Sequence, residues 1–161
     1  MKNIVQFAGP NKITKKGKMK LTHKKLTELA KNWLKNAKQC NPVFAEKGCA
    51  NFSEIPDAIG FKCDLCIVVE CKTSKSDLYA DRKKPFRESG GLGDLRYYFM
   101  EMSLYEECKD FDFNGWGVVV VTDIGVVKKL RGIDSQKFES NLKNERDFLR
   151  SRILEIQKFG S

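Results

Sequence analysis

The chain has 161 residues, 41% of them hydrophobic and 32% charged. That is enough apolar material to close one core, and too much for a disordered chain. No apolar run approaches the ~20 residues a bilayer crossing needs, and the opening MKNIVQFAGPNK lacks the apolar segment and cleavage site of a secretion signal, so a cytoplasmic location is expected.

The net charge of +9 and a pI near 9.3 point to a polyanionic partner such as nucleic acid. Most of the excess lies in the first forty residues, where Glu28 is the sole acidic side chain. Residues 1–20 read as a basic N-terminal arm, irregular apart from a short strand at Ile4–Phe7. Lys15, Lys16, Lys18 and Lys20 cluster there, either as phosphate contacts or as a solvated tail. Residues 21–161 show no linker or internal repeat and read as a single domain.

From Leu21 to Lys38 the apolar residues Leu26, Leu29, Ala30, Trp33, Leu34 and Ala37 recur at three- and four-residue spacing, which predicts a helix capped by Thr22. His23 lies beside the apolar stripe, where a lone histidine is more often structural than catalytic. Glu28 falls on the lysine-rich face and is expected to pair with Lys24 or Lys31. Asn41-Pro42 ends the helix. Val43 to Glu46 reads as a strand and Lys47-Gly48 as a turn. Glu46 either points toward a cleft or simply ends its strand. Glu54, on alternate spacing, is expected on the face opposite Asp57.

The stretch Ile55 to Lys72, IPDAIGFKCDLCIVVECK, carries the chemistry. Two apolar segments flank a turn expected at Gly60. On a strand Val68, Glu70 and Lys72 share one face, and buried charges are costly unless they are paired or bind a metal. Antiparallel pairing of the two segments would bring Asp57 toward Glu70. Two carboxylates and a lysine would then meet at one spot that suits a hard divalent cation and phosphoryl chemistry.

After Lys72, Ser74 or Ser76 caps a helix whose faces are dense with charge. Asp77 and Asp81 are one turn apart, as are Lys83 and Arg87, so the segment reads as a solvated, ion-paired helix or as a basic ridge beside the cleft that includes Lys75. Ser89 to Asp94 is glycine-rich without the pattern of a nucleotide loop and reads as a mobile loop. Arg96-Tyr97-Tyr98-Phe99 suggests a strand whose Tyr and Phe rings pack in the core; the alternative turns Arg96 toward a phosphate and stacks a Tyr on a base. Glu101 to Lys109 reads as helix or loop. Gly115 to Thr122 reads as a buried strand that Asp123-Ile124-Gly125 turns into Val126–Leu130 as a hairpin. Asn141 to Lys158 reads as an amphipathic helix with Phe148, Leu149, Ile153, Leu154 and Ile156 on its apolar side.

Six cysteines in a chain without a leader read as reduced thiols. Zinc ligation by Cys63-x-x-Cys66, with Cys40 and Cys49 upstream, is the weaker alternative, since the spacing has no second CxxC and Cys66 is expected to begin the central strand.

Pro56-Asp57 followed by Glu70-Cys71-Lys72 resembles the PD-(D/E)XK nuclease motif. The segments LTHKKLTELAKNWL, EIPDAIGF, IVVECKTSKSDLYADRKKPFR, GLGDLRYY and GWGVVVV follow one another as in small phage and bacterial proteins of that superfamily, and ECKTSKSDLYADRKK is similar to a run in MmcB-like DNA repair proteins. The resemblance implies an α/β restriction-endonuclease-like core, a mixed sheet flanked by helices, and a Mg²⁺- or Mn²⁺-dependent nuclease cutting DNA. Asp57 and Glu70 would bind the metal with the Cys71 carbonyl, and Lys72 would assist the attacking water. Glu46, Glu54 and His23 are secondary candidates; Lys75, Lys83, Arg87 and Arg96 join the arm lysines as expected nucleic-acid contacts. An RNA-cleaving enzyme and an inactive nuclease-fold protein that binds DNA or a protein partner are the alternatives. Action as a homodimer or within a larger complex is also expected from so short a chain.

Overall fold

The computed structural model describes residues 21–130 and 132–160; the strand expected at Ile4–Phe7 and the lysines at 15, 16, 18 and 20 lie outside the described residues. Helix α1 spans His23–Asn36, with the Thr22 hydroxyl accepting from the Lys25 amide at its start. Leu26, Leu29, Ala30, Trp33 and Leu34 form the buried stripe that the spacing predicts. Glu28 pairs with Lys25 at 3.0 Å rather than with Lys24 or Lys31.

Six strands form one sheet in chain order: β1 Val43–Ala45, β2 Ala58–Lys62, β3 Leu65–Lys72, β4 Leu95–Glu101, β5 Gly117–Val121 and β6 Val127–Lys129. The outer pairs β1–β2, β2–β3 and β5–β6 are antiparallel, while β3–β4 and β4–β5 are parallel. The parallel centre is covered on both faces, which is why GVVVV and most of LCIVVECK read as unbroken apolar runs. The chain is therefore an α/β protein with a mixed sheet flanked by helices, as expected.

Alternation divides β3 between two layers. Ile67, Val69 and Cys71 pack with Trp33, Leu34, Tyr97 and Phe99 under α1. Cys66 and Val68 face the other way, toward Leu92 and Phe148. On that second side Tyr98, Met100, Val118 and Val120 pack with Leu78 and Trp116. The β3–β4 crossover carries α2, Lys75–Asp81, and a single 3₁₀ turn at Pro85–Arg87; α3, Met102–Glu107, follows β4 directly. Ser74, rather than Ser76, caps α2 by accepting from the Asp77 amide.

Two local expectations are corrected. Gly60 is not a turn residue: it sits inside β2, opposite Val43 on one side and Ile67 on the other. A Cβ there would lie 2.7 Å from that of Cys40, so glycine admits the chain leaving α1 rather than bending the hairpin. The turn falls at Cys63-Asp64, with Cys63 at φ +50°. The Ser89–Asp94 loop is pinned, not free. The Leu92 amide donates to Glu54, the Gly93 amide to Glu145, and Asp94 accepts from the Cys66 amide.

Helix α4, Leu142–Phe159, is capped by Asn141, but the expected apolar side is only partly covered. Phe148 is fully buried, edge-on to Phe44 at 5.6 Å. Ile153, Leu154 and Ile156 are each about half exposed, and the later turns are tied down by polar contacts instead, Arg152 to the Gly48 carbonyl and Glu155 to Lys47. All six cysteines are free thiols. Among the described residues no helix is long and apolar enough to cross a membrane.

Candidate active site

The registers of the first three strands, continued by one residue, line up Glu46, Asp57 and Glu70. Ala45 pairs with Ala58, and Ala58 with Val69. Asp57 precedes β2 rather than lying within it, and two contacts hold it. Its Oδ2 accepts from the Cys71 amide at 2.6 Å, and its Oδ1 lies 3.2 Å from His23 Nε2. Its main-chain carbonyl accepts from the Glu46 amide at 3.0 Å. The backbone that holds Asp57 thus belongs to the strand that carries Glu70 and Lys72.

His23, at the first position of α1, is not part of the apolar stripe; its half-exposed ring reaches Asp57 and stands 3.9 Å from Glu46. His23 and Glu46 therefore belong to the neighbourhood of Asp57. Glu54 does not. It lies outside any strand, so the alternation argument fails, and it is buried on the far side of Glu70 against Arg87 Nη1 at 3.4 Å and the Leu92 amide at 2.8 Å.

Glu70 and Lys72 are 3% and 4% exposed, which closes them off more than an open cleft would. Glu70 Oε2 is 3.0 Å from Arg87 Nη2 and 3.7 Å from Lys72 Nζ. Oε1 is buried and has no hydrogen-bond partner among the described residues. Burial raises the Glu70 carboxyl to about 7, with the Arg87 charge opposing the rise and that of Asp57 adding to it. For Lys72 burial acts to lower the pKa, but Glu70, Asp81 and Asp77 outweigh it and the ammonium is held above its ordinary value.

Asp81 is the acceptor at the centre of this group. Its place on a charge-dense helix suggests a solvated, ion-paired surface residue, yet it is 2% exposed. Lys72 Nζ lies 3.1 Å from its Oδ1. Arg87 grips both oxygens, Nη2 to Oδ1 at 2.7 Å and Nε to Oδ2 at 2.9 Å, and the Tyr98 hydroxyl donates to Oδ2 at 3.2 Å. Burial alone would raise the Asp81 carboxyl; the hydrogen bonds and charge of Arg87, with Lys72 and Lys84, hold it well below its ordinary value. The spacing of Asp77 and Asp81, one turn apart and just after the strand of Lys72, was the available signal.

Two of the expected nucleic-acid contacts are corrected by their burial. Arg87 is 1% exposed, because α2 ends at Asp81 and the 3₁₀ turn folds Arg87 back under Glu54, Glu70 and Asp81. Arg96, equally buried, donates to the carbonyls of Phe86, Arg87, Gly91 and Gly93 and ties the glycine loop to β4. Lys75 and Lys83 do stand exposed on the α2 side.

As donors for a divalent ion, Asp57, Glu70 and the Cys71 carbonyl offer oxygen only, the ligand type that Mg²⁺ and Mn²⁺ prefer. The unpartnered Oε1 of Glu70 fits such an ion, since a buried carboxylate oxygen without a donor otherwise carries its full desolvation penalty. Among the described residues no three His, Cys, Asp or Glu side chains converge as a metal cage; Mg²⁺ needs no cage, because it keeps several waters and takes one or two carboxylates. Cys63 is exposed and Cys66 buried.

No protein-family model and no curated protein matches the chain. Among solved structures it is similar to a protein of unknown function from Silicibacter pomeroyi, with a TM-score of 0.59 and 19% identity over 88% of this chain and 94% of that one. At that identity the likeness is one of fold.

Proposed function

We propose that the protein is a divalent-metal-dependent nuclease that hydrolyses DNA phosphodiesters. One observation carries the reading: Asp57, Glu70 and Lys72 come together at the end of the β2–β3 pair, with Asp57 held by the Cys71 amide and one oxygen of Glu70 left open. A core built for stability alone gains little from this, because buried charges contribute less than apolar packing of the same volume.

Asp57, Glu70 and the Cys71 carbonyl would hold Mg²⁺ or Mn²⁺. Bound there, such an ion polarises a phosphate oxygen and makes a water more acidic. The chain's own groups supply the rest. The Cys71 amide and His23 fix the rotamer of Asp57, so its carboxylate is oriented before any ligand arrives. Lys72, kept charged by three carboxylates, offers a fixed positive charge to the phosphate oxygens as negative charge develops on them. The exposed Lys75 and Lys83, with the chain's overall +9, favour a polyanionic substrate.

The test is cleavage of supercoiled plasmid, linear duplex, single-stranded DNA and RNA with Mg²⁺, Mn²⁺ or EDTA. Wild type is compared with Asp57→Ala, Glu70→Ala and Lys72→Ala, each checked for folding. Metal-dependent DNA cleavage, absent in all three variants, is the expected result. Cleavage of RNA alone changes the substrate class. Binding without cleavage, equal in wild type and variants, sinks the enzymatic reading and leaves a nucleic-acid-binding protein.

A further inference from the structure

The Lys72 ammonium has three carboxylates within reach, and its place is decided by which of them wins. Asp81 Oδ1 is nearest at 3.1 Å; Glu70 Oε2 and Asp77 Oδ1 are both at 3.7 Å. Asp77 is half exposed and so screened by water, whereas Glu70 and Asp81 are buried. Asp81 is also rigid. The Arg87 fork fixes the plane of its carboxylate and the Tyr98 hydroxyl fixes its second oxygen. The same guanidinium occupies Glu70 Oε2 at 3.0 Å, and Oε1 has no partner among the described residues.

We propose that Asp81, anchored by Arg87 and Tyr98, is a positioning residue that draws the Lys72 ammonium away from Glu70 and so keeps Glu70 open to a divalent cation. The proposal rests on the reading of the site as a metal-dependent nuclease. With Asp81 neutral, the buried anion left beside Lys72 among the described residues is Glu70. An ammonium at hydrogen-bonding distance from that carboxylate competes for the oxygens a cation needs. Asp81 thus separates two functions that adjacent positions on one strand face would otherwise cancel: a carboxylate that takes a cation, and a lysine that takes a phosphate.

The experiment is a double-variant cycle read by Mn²⁺ binding, followed as the loss of the free-ion paramagnetic resonance signal. Asp81→Asn is expected to weaken Mn²⁺ binding about tenfold, the lower end for residues that orient metal ligands. Lys72→Met is expected to bind Mn²⁺ at least as well as wild type, and Asp81→Asn with Lys72→Met is expected to match Lys72→Met alone. An unchanged affinity in Asp81→Asn, or a loss that persists in the double variant, overturns the proposal. Tyr98→Phe, which removes one hydroxyl and keeps the ring, gives the same cycle in milder form should Asp81→Asn fold poorly. A second readout needs no metal: in EDTA the carboxyl carbon resonance of Glu70 is expected to shift in Asp81→Asn, and to be insensitive to Asp81→Asn once Lys72 is Met. If wild type binds no Mn²⁺, the nuclease reading falls. The Glu70 resonance then decides the placement of Lys72, and its failure to move overturns that as well.

Discussion

The amide of Cys71 donates to Oδ2 of Asp57 across 2.6 Å, so the carboxylate just ahead of β2 is held by the backbone between Glu70 and Lys72. A charge-assisted bond of this kind is short and about twice as strong as a neutral one. Asp57→Asn keeps the shape and can still accept from Cys71, but it lacks the charge. Its DNA cleavage is expected to fall at least about 100-fold, while its thermal melt stays close to that of wild type. Plasmid nicking and a circular-dichroism melt on the same preparation check both halves.

Arg87 answers three buried carboxylates, those of Glu54, Glu70 and Asp81. Arg87→Met leaves them without their main counter-charge, and removal of one member of a buried ion pair costs about 3–5 kcal/mol. Urea unfolding is expected to show a loss of that size. A midpoint unchanged from wild type would mean that water already solvates the group.

Stability without metal should depend on pH through Glu70. Its folded pKa of about 7 lies above the ordinary 4.5, so between those values the folded chain keeps a proton that the unfolded chain has released. The contribution is complete below about pH 4.5 and is lost as pH rises through about 7, amounting to at most about 3 kcal/mol. Asp81, held low, acts in the opposite sense and below its ordinary 3.8. Urea midpoints in EDTA should therefore decline from pH 5 to pH 8 in wild type, with Glu70→Gln flat over that range. Mg²⁺ should bind more tightly as pH rises through the same window, releasing a proton as it does so; calorimetry in two buffers of different ionisation heat measures that proton.

The buried and exposed basic residues should separate cleanly. Arg96 satisfies four carbonyls, and Arg96→Met is expected to cost about 3 kcal/mol or more by leaving several of them unpaired. Lys75→Ala and Lys83→Ala should leave stability within about 0.5 kcal/mol. Each is expected to lower the salt slope of DNA binding by about one if it meets a phosphate. Binding isotherms at several salt concentrations read that slope directly.

Gly60 offers a packing test away from the chemistry. A Cβ added there would come within 2.7 Å of that of Cys40, and overpacking of a closed core costs about 1–3 kcal/mol. Gly60→Ala is expected to lower the urea midpoint by that amount. The β2–β3 turn should be untouched, since it lies at Cys63-Asp64.

Much of the framework was legible beforehand because it rests on local periodicity. The three- and four-residue spacing from Leu26 to Leu34 marked α1, Thr22 marked its cap, and unbroken valine marked the buried β5. Period two placed Glu70 and Lys72 on one face of β3. The turn was misplaced because a glycine in an apolar stretch signals either a bend or a close approach, and only the position of Cys40 distinguishes the two. Arg87 and Arg96 read as surface cations because arginine seldom lies deep. What buries them is how the chain folds back on itself: Asp81 and four loop carbonyls lie within about ten residues of the arginine they meet, and Glu54 comes from 33 residues away.

The amino-acid sequence by itself determined the α/β order of elements and the shared face of Glu70 and Lys72 on β3, since each depends on neighbours a few positions away. Only the tertiary structure decided that Asp81 holds Lys72, that Arg87 holds Glu70, and that His23 reaches Asp57. Those contacts join helix starts, helix ends and strand ends, and no local pattern encodes the distance between them. Burial then set the charge states, because a carboxylate's pKa depends on what replaces the water around it.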